Sequence, residues 1–242
     1  MNFSLFFVSP QTNASALSIV VPRLTKNSHS RFIPIYKHIN YTEKNVRGVF
    51  GLSKIVEIRW HGRGGQGAKT AALLLSDAAF EAGKYIQGFP EYGPERMGAP
   101  ITAYNRFSDE KIRMHSNIYE PDFVVVVDDT LLDVVDVTAG LKADGAVVVN
   151  TQTPEKIKDK LRGYSGKVYA VDAKEISISA LGKYFPNFPM LGAINAVSGV
   201  MEKEAFTKAV DKLIDKKFAS KAGVAEGNKK ALARGMAEVK EV

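Results

Sequence analysis

The chain has 242 residues, of which 45% are hydrophobic and 24% charged, and its formal net charge is +7. It contains no cysteine, which excludes thiol nucleophiles, disulfides and any cysteine-ligated zinc or iron–sulfur site within this chain. No apolar run approaches the roughly 18 residues of a membrane-spanning helix, so we expect no membrane partner.

The positive charge is concentrated near the amino terminus. Residues 1–53 contain six basic residues and one acidic residue, which leaves 27 basic and 25 acidic residues for positions 54–242. Binding to nucleic acid requires a basic surface on the folded domain, and this domain is nearly neutral. The charge distribution therefore predicts that nucleic acid is not a partner.

Residues 1–53 differ in composition from the rest of the chain. They are rich in Ser, Asn and Thr, poor in acids, and show no sustained period of 2 or 3.6 residues. No basic segment follows Met1, which disfavours a secretory signal, whereas the basic, hydroxyl-rich composition suits an organelle transit peptide. The alternative, which we favour, is a poorly ordered extension of uncertain status. We expect one domain over 54–242 and a cytoplasmic location, or an organellar one if residues 1–53 are a transit peptide.

The domain begins with a strand, a glycine turn and a helix. Ile55–His61 alternates apolar and polar residues, and the Ala- and Leu-rich segment Ala68–Ala82 has helical spacing. A second strand is predicted at Lys84–Phe89. After a loop rich in Gly and Pro, Ile101–Phe107 and Lys111–His115 are predicted to form an antiparallel β-hairpin.

The following segments alternate between buried strands and helices. Phe123–Val127 is a continuous apolar run, as expected of a strand buried on both faces of a parallel sheet, and a helix can be capped at its start within Asp128-Asp129-Thr130. Further strands are predicted at Ala146–Asn150 and Lys167–Val171. Helices are predicted at Pro154–Leu161, Ala173–Gly182, Met190–Val200, Lys203–Phe218 and Ala225–Val239. This alternation predicts an α/β fold with a Rossmann-like, doubly wound, mostly parallel sheet, an inserted antiparallel β-hairpin and C-terminal helices.

The glycine turn is the first candidate site. Gly62, Gly64 and Gly67 satisfy the pattern G-x-G-x-x-G between a strand and a helix. Glycines allow the backbone to turn tightly, so that free N–H groups and the positive end of the helix can face a phosphate. The alternative is that these glycines only let the strand and the helix pack closely.

Two kinds of free-standing nucleotide-binding protein share part of this pattern. A Rossmann-type dehydrogenase has an acidic residue about 20 positions later, and Glu91 is near that place but leads into a loop. A P-loop NTPase has Lys directly after the last glycine, whereas Ala68 precedes Lys69 here. Both stay as alternatives, and neither is favoured.

Two segments resemble a known enzyme family. Trp60–Ala68, which reads WHGRGGQGA, and Phe89–Pro100, which reads FPEYGPERMGAP, are similar to the gamma subunit of pyruvate and related 2-oxoacid:ferredoxin oxidoreductases. The similarity continues through Tyr119–Asp122 and Pro189–Ala193 and covers residues 54–240. Two long blocks in the same order are more specific than the glycine pattern alone.

The resemblance implies a subunit of a heteromeric enzyme. Enzymes of this family convert a 2-oxoacid and coenzyme A to an acyl-CoA and carbon dioxide and pass two electrons to ferredoxin, and pyruvate is the expected oxoacid. The resemblance also implies that thiamine diphosphate, magnesium and the iron–sulfur clusters belong to partner subunits of the alpha, beta and delta types. The gamma subunit is then a scaffold that helps to frame the access of coenzyme A and is not catalytic alone.

The candidate ligand-binding residues lie in the glycine turn and at the start of the helix. The guanidinium of Arg63 can pair with a phosphate or a carboxylate, Gln66 can hold a ligand or brace the turn, and Lys69 at a helix start favours a nearby anion. The full set is Gly62, Arg63, Gly64, Gly65, Gln66, Gly67 and Lys69. No catalytic residue or metal ligand is predicted, and His61 is expected to be a packed histidine at the strand end.

The candidate interface residues are Glu91, Tyr92 and Arg96, which share the loop rich in Gly and Pro. Loops carry function disproportionately, and a Tyr buries a large ring at an interface while keeping a hydroxyl for hydrogen bonding. Glu91 and Arg96 can instead pair with each other at the surface, which contributes little energy. We expect this loop to contact partner subunits.

Overall fold

The structure is a computed structural model that describes four ranges of residues, 16–26, 32–42, 55–91 and 97–242. The chain divides into two compact units, Met1–Lys54 and Ile55–Val242. In the first unit, strand β1 (Ala16–Lys26) pairs with strand β2 (Phe32–Thr42) in an antiparallel sheet. The sequence pattern did not predict these two strands, and the role of residues 1–53 stays a prediction.

A sheet of seven strands forms the centre of the second unit. Its strands are β3 (Val56–Arg63), β4 (Tyr85–Pro90), β5 (Pro100–Ser108), β6 (Phe123–Val126), β7 (Ala146–Asn150), β8 (Lys167–Val171) and β9 (Lys240–Glu241). They lie in the order β4–β5–β3–β6–β7–β8–β9. The neighbouring pairs β3–β6, β6–β7 and β7–β8 are parallel. β5 is antiparallel to both β3 and β4, and β9 is antiparallel to β8. Five of the seven strands therefore point the same way, which confirms the predicted mostly parallel α/β sheet.

An antiparallel hairpin is present, but its two strands are β4 and β5. β5 agrees within one residue with the predicted strand Ile101–Phe107, and Tyr85 of β4 lies opposite Ser108 of β5. The predicted partner, Lys111–His115, contains no strand. That part of the prediction was wrong because β5 is paired on both of its edges, by β4 and β3, and has no edge left for another strand.

The helices of the second unit lie close to their predicted positions. They are α1 (Ala68–Glu81), α2 (Ile157–Lys160), α3 (Ala173–Leu181), α4 (Asn187–Ser198), α5 (Lys203–Lys217) and α6 (Ala222–Glu238), with 3₁₀ turns at Asp129–Asp133 and Pro154–Lys156. Within the described ranges, no helix is long and apolar enough to cross a membrane.

Two apolar clusters use the alternating side chains of the buried strands. Val125 of β6 belongs to the larger cluster, in which α1 and the helices from α3 to α6 take part. Val124 and Val126 belong to a smaller cluster with Leu132 and Ile157. Successive side chains of a strand point to opposite faces, so β6 is buried on both faces of the sheet, as predicted.

The chain crosses from one side of β3 to the other. After β3 it runs through α1 to β4 and β5 on one side, and then it enters β6 on the other side. Because β3 and β6 are parallel neighbours, their carboxyl ends at Arg63 and Val126 lie at the same edge of the sheet. In doubly wound folds, ligands bind in the crevice at such a point. The glycine turn that follows β3 lies there.

Candidate functional site

The glycine turn leads from β3 into α1 through a left-handed backbone. Gly65 and Gly67 have φ angles of 91° and 85°, which residues with a side chain rarely adopt. At Gly62 a Cβ atom would lie 2.6 Å from the Cβ atom of Ala68. The glycines therefore allow a tight turn and the close packing of strand and helix, and their role towards a phosphate stays a prediction.

The side chains of Arg63 and Gln66 form hydrogen bonds with other residues of this chain. The guanidinium of Arg63 donates to the hydroxyl of Thr130 at 2.9 and 3.2 Å and to the carbonyl of Gly98 at 3.1 Å. It also lies 3.4 Å from the carboxylate of Asp128. Gln66 accepts a hydrogen bond from the backbone N–H of Arg63 at 3.0 Å, and its amide donates to Asp128. Both side chains thus brace the turn against the segment that follows β6.

The carboxylate of Asp128 contacts both Arg63 and Gln66. Burial raises the pKa of its carboxyl, but hydrogen bonds from Thr130 and Gln66, together with the charge of Arg63, outweigh burial and hold the pKa below its ordinary value. The ionised carboxylate also caps the 3₁₀ turn after β6, as predicted, through the N–H of Thr130 at 3.0 Å. The contact of Asp128 with the turn was not predicted, although Asp128 directly follows a predicted parallel strand, and the carboxyl ends of parallel strands lie together.

A cavity of about 410 Å³ lies beside the glycine turn, and it is lined by Gly64, Gly65, Gly67, Lys69, Thr70, Met97 and Ile101. Among the described residues, no side chain caps the start of α1, and its first turn contains no acid. An uncapped helix start presents N–H donors and a partial positive charge, which suit an anion. Four of the predicted ligand-binding residues therefore line a cavity with the chemistry of an anion site.

A second pocket of about 560 Å³, the carboxyl-edge pocket, lies at the ends of β6 and β7. It is lined by Gln66, Asp128, Asp129, Asn150, Thr151, Gln152, Thr153, Lys174 and Tyr184. Gln66 connects it with the glycine turn. The sequence analysis did not predict this pocket, although a polar segment directly follows each of the two buried strands.

The predicted interface residues are only partly described. Glu91 follows β4, is exposed, and accepts a hydrogen bond from the hydroxyl of Tyr104 at 2.7 Å. Burial, followed by this hydrogen bond, raises the pKa of Tyr104. Tyr92 and Arg96 lie outside the described residues. Glu91 thus ties the start of the loop to β5, and the interface role of all three residues stays a prediction.

His61 and Arg59 form a buried pair on β3. His61 is 7% exposed and accepts a hydrogen bond from the Nε of Arg59 at 3.1 Å. Arg59 also donates to the carbonyls of Val137 at 2.9 Å and Ala139 at 2.6 Å. Burial, followed by the charge of Arg59, lowers the pKa of His61 to about 3. His61 is therefore a neutral, packed histidine, as predicted.

Comparison with known proteins gives concordant matches. Residues 57–238 match the family described as pyruvate ferredoxin/flavodoxin oxidoreductase. Pyruvate synthase subunit PorC of Thermotoga maritima is 49% identical over 187 residues, which cover 77% of this chain and 96% of that protein. The pyruvate/ketoisovalerate oxidoreductases common subunit gamma of Thermococcus kodakarensis is 50% identical over 157 residues, 64% of this chain and 85% of that protein.

A solved structure agrees with the sequence matches. The crystal structure of pyruvate oxidoreductase subunit PORC from Thermotoga maritima has a TM-score of 0.69 and 46% identity, and the match covers 78% of this chain and 98% of that chain. Fold and sequence thus point to the same group of proteins, which confirms the resemblance of the two sequence blocks. The chain belongs to the pyruvate ferredoxin/flavodoxin oxidoreductase family.

Proposed function

We propose that the chain is the gamma-type subunit of a heteromeric 2-oxoacid:ferredoxin oxidoreductase whose oxoacid is pyruvate. The complex converts the 2-oxoacid and coenzyme A to an acyl-CoA and carbon dioxide and passes the electrons to ferredoxin. The observation that carries this proposal is the 49% identity to a pyruvate synthase subunit over 96% of its length. Because that relative is itself a subunit, a free-standing dehydrogenase or NTPase is not favoured.

We assign the thiamine and redox chemistry to partner subunits. The chain has no cysteine, so it has no thiolate with which to ligate an iron–sulfur cluster. Thiamine diphosphate, magnesium and the clusters are then held by subunits of the alpha, beta and delta types. This chain then serves as a scaffold and forms part of the channel through which coenzyme A enters.

The glycine turn fits a phosphate group of coenzyme A. Among the described residues, no side chain caps the start of α1, and Gly65, Gly67 and Lys69 line the cavity beside it, so these groups complement a negative charge. The N–H of Gly64 already donates to the carbonyl of Ala99 at 2.9 Å. Arg63 is engaged with Thr130 and the carbonyl of Gly98. We therefore assign Arg63 and Gln66 to positioning of the turn. We assign phosphate binding to the backbone N–H groups at the start of α1 and, by its position in the cavity lining alone, to Lys69.

We assign Glu91, Tyr92 and Arg96 to contacts with the thiamine-binding subunits. Support comes from the two residues that flank this loop in the described part of the chain. Glu91 is fixed to the sheet by Tyr104, and Met97 is 94% exposed beside the glycine turn. An exposed large apolar side chain at a loop is a typical contribution to a protein interface.

The proposal is tested by purifying the chain at its native expression level. We expect iron–sulfur proteins of the same complex to co-purify, and we expect the purified complex to reduce ferredoxin with pyruvate and coenzyme A. Assays with 2-oxoglutarate and branched-chain oxoacids then define the substrate range. A chain that purifies alone with a bound dinucleotide, or that hydrolyses ATP, would contradict the proposal and favour the free-standing alternative.

A further inference from the structure

Residues 111–115 form a segment of the surface that belongs to no strand, and we call it the unpaired segment. Four of the five residues are exposed. The backbone contains no helix, turn or bend here, and none of the five residues has a positive φ angle, so the segment is extended. Apolar and polar side chains alternate along it, as in a strand. The unpaired segment thus has the sequence pattern and the backbone of a strand, but it has no partner strand among the described residues.

The unpaired segment is held against the sheet along one of its edges. The amide of Gln87 on β4 donates to the carbonyl of Met114 at 2.8 Å, and the guanidinium of Arg106 on β5 donates to the carbonyl of Ser116 at 3.1 Å. Beyond the segment, Ile118 is buried and fixes the chain in the interior. The carbonyl of Met114 therefore marks the edge that faces the sheet.

The opposite edge of the unpaired segment faces away from the sheet. In an extended chain the backbone N–H and C=O groups of successive residues point alternately to the two edges. Those of Lys111, Arg113 and His115 therefore point away from the edge marked by Met114. Within the ranges that the structure describes, none of these six groups forms a hydrogen bond. Such a row of donors and acceptors is a template for a further strand.

The positive charge of the unpaired segment determines which strand fits this edge. Lys111 and Arg113 are exposed, and neither forms an ion pair with a described residue. Side chains of opposite charge on neighbouring strands stabilise a sheet, whereas like charges directly opposite each other destabilise it. The edge is therefore complementary to a strand that has Asp or Glu at alternate positions.

A second copy of this chain does not fit the same edge. Two copies related by a two-fold axis through Arg113 would pair antiparallel, and each Arg113 would lie opposite the other. That pair of like charges destabilises the contact. Basic residues on an edge strand are a usual protection against self-association. The charge of the segment thus favours a different, acidic chain.

We propose that the unpaired segment binds an acidic, extended segment of a partner subunit, which adds a strand to it through backbone hydrogen bonds. The inference rests on the proposed function, because it requires that the chain belongs to a heteromeric complex. It adds a second contact surface to the loop between Glu91 and Met97, and it names the chemistry of the partner. In strand addition, backbone hydrogen bonds give affinity and alternate side chains give specificity. The unpaired segment offers a free edge and basic residues at alternate positions.

The charge of the unpaired segment is tested by diluting the purified complex and measuring the release of partner subunits. Lys111→Glu reverses a charge at the proposed contact, and we expect release at a roughly tenfold higher protein concentration. Lys203→Glu is the matched control, since it makes the same charge change at an exposed lysine of α5. It should release the partners at the wild-type concentration. Equal release from the two variants would contradict the proposal.

Proline substitutions distinguish strand addition from a contact between side chains alone. Pro has no N–H and is compatible with an extended backbone. His115→Pro removes an N–H from the edge that we expect to bind, and it should weaken assembly about three- to tenfold through the loss of one hydrogen bond. Met114→Pro is the control, because its N–H belongs to the edge that faces the sheet and donates to no described residue. Equal effects of the two substitutions would show that strand addition is wrong.

Cross-linking of the assembled complex identifies the chain that covers the unpaired segment. A carbodiimide joins the amine of Lys111 to a carboxylate in contact with it, with loss of water, and peptide mapping locates that carboxylate. We expect an Asp or Glu of a partner subunit. A cross-link to a second copy of this chain or to ferredoxin, or no cross-link, would overturn the proposal.

The same measurements separate this inference from the proposed function. If the wild-type chain purifies without partner subunits, the proposed function is wrong and the inference is wrong with it. If the wild-type complex assembles, and Lys111→Glu and His115→Pro assemble equally well, only the inference is wrong. Unfolding temperatures equal to that of the wild type show that a loss of assembly in a variant is not a loss of the fold.

Discussion

Buried polar side chains around β3 hold the strands next to the site in place. Arg106 is 1% exposed and donates to Glu57 at 2.7 Å and to Gln87 at 2.8 Å, so it connects β5 with both of its neighbours. The indole N–H of Trp60 donates to Asn105 at 2.7 Å. Hydrogen bonds to buried charged groups stabilise a fold more than neutral ones do. These contacts hold β3 in register with β5, and the glycine turn follows the other end of β3.

His61 makes the stability of the protein depend on pH. Its pKa is about 3 in the folded chain, against the ordinary value of 6.5. Below pH 6.5 the unfolded chain binds a proton that the folded chain does not bind, so stability is lost as the pH falls towards 3. Between pH 7.5 and pH 5 we expect the free energy of unfolding in urea to fall by roughly 2 kcal/mol through this group.

His61→Gln should remove that contribution, since Gln does not titrate and its carbonyl can accept from Arg59. The control is His115→Gln, which makes the same substitution at an exposed histidine away from the contact with Arg59. An unchanged pH dependence in His61→Gln would show that His61 is accessible to protons in the folded state.

At the level of elements, helices α4 and α6 pack through glycine. A Cβ atom at Gly235 of α6 would lie 2.1 Å from the carbonyl oxygen of Pro189 in α4, and one at Gly192 of α4 would lie 2.3 Å from the carbonyl oxygen of Leu232. The backbones of the two helices therefore approach each other too closely for a larger residue. The contact is relevant to the site because α4 begins at Asn187, next to Gly67.

Gly235→Ala should destabilise the protein by about 1–3 kcal/mol, because a methyl group there forces the two backbones apart. Gly223→Ala is the matched control in the same helix, since nothing lies within 4 Å of a Cβ atom at Gly223. That control should stabilise the protein by about 0.5–1 kcal/mol through the helix preference of Ala. Urea unfolding measures both, and equal effects would mean that α4 and α6 are not in close contact.

The pairing of the hairpin strands could not be predicted from the local pattern of apolar and polar residues. Alternation correctly predicted strands near β4 and β5, because a half-buried strand alternates apolar and polar residues. It predicted the wrong partner for β5, residues 111–115, because these residues and residues 84–89 are both near enough in sequence to reach β5. The choice depends on packing: Gly88 of β4 lies against Ser76 of α1, and this contact joins β4 to the helix as well as to β5.

At the level of the whole molecule, the site is assembled from segments far apart in sequence. Arg63 is the last residue of β3, whereas its partner Thr130 lies 67 residues later, and Tyr184 lies 34 residues after Asn150. Parallel strands bring these segments together because their carboxyl ends share one edge of the sheet. Glu91 and Met97, on either side of residues 92–96, are exposed, and we expect the partner subunits to bind there.

Arg96→Glu should weaken assembly of the complex, because it reverses a charge in the loop assigned to the partner contact. We expect less partner protein to co-purify and a roughly tenfold or larger loss of complex affinity, as for a charged residue at an interface. Lys203→Glu is the control, since it makes the same charge change at an exposed basic residue of α5, outside this loop. Assembly and activity that match the wild type in Arg96→Glu would remove this loop from the interface.

The strand, the glycine turn, the helix, the buried valine strands and the family could be predicted from the sequence, because each is encoded in contiguous residues. The fold was needed to show that Arg63 and Gln66 brace the turn, that both contact Asp128, and that Asn150 lines a second pocket. Such contacts depend on which strands become neighbours and on where each side chain then points. Neither can be read from a local pattern of apolar and polar residues, since the partners are separated by many residues that do not touch the site.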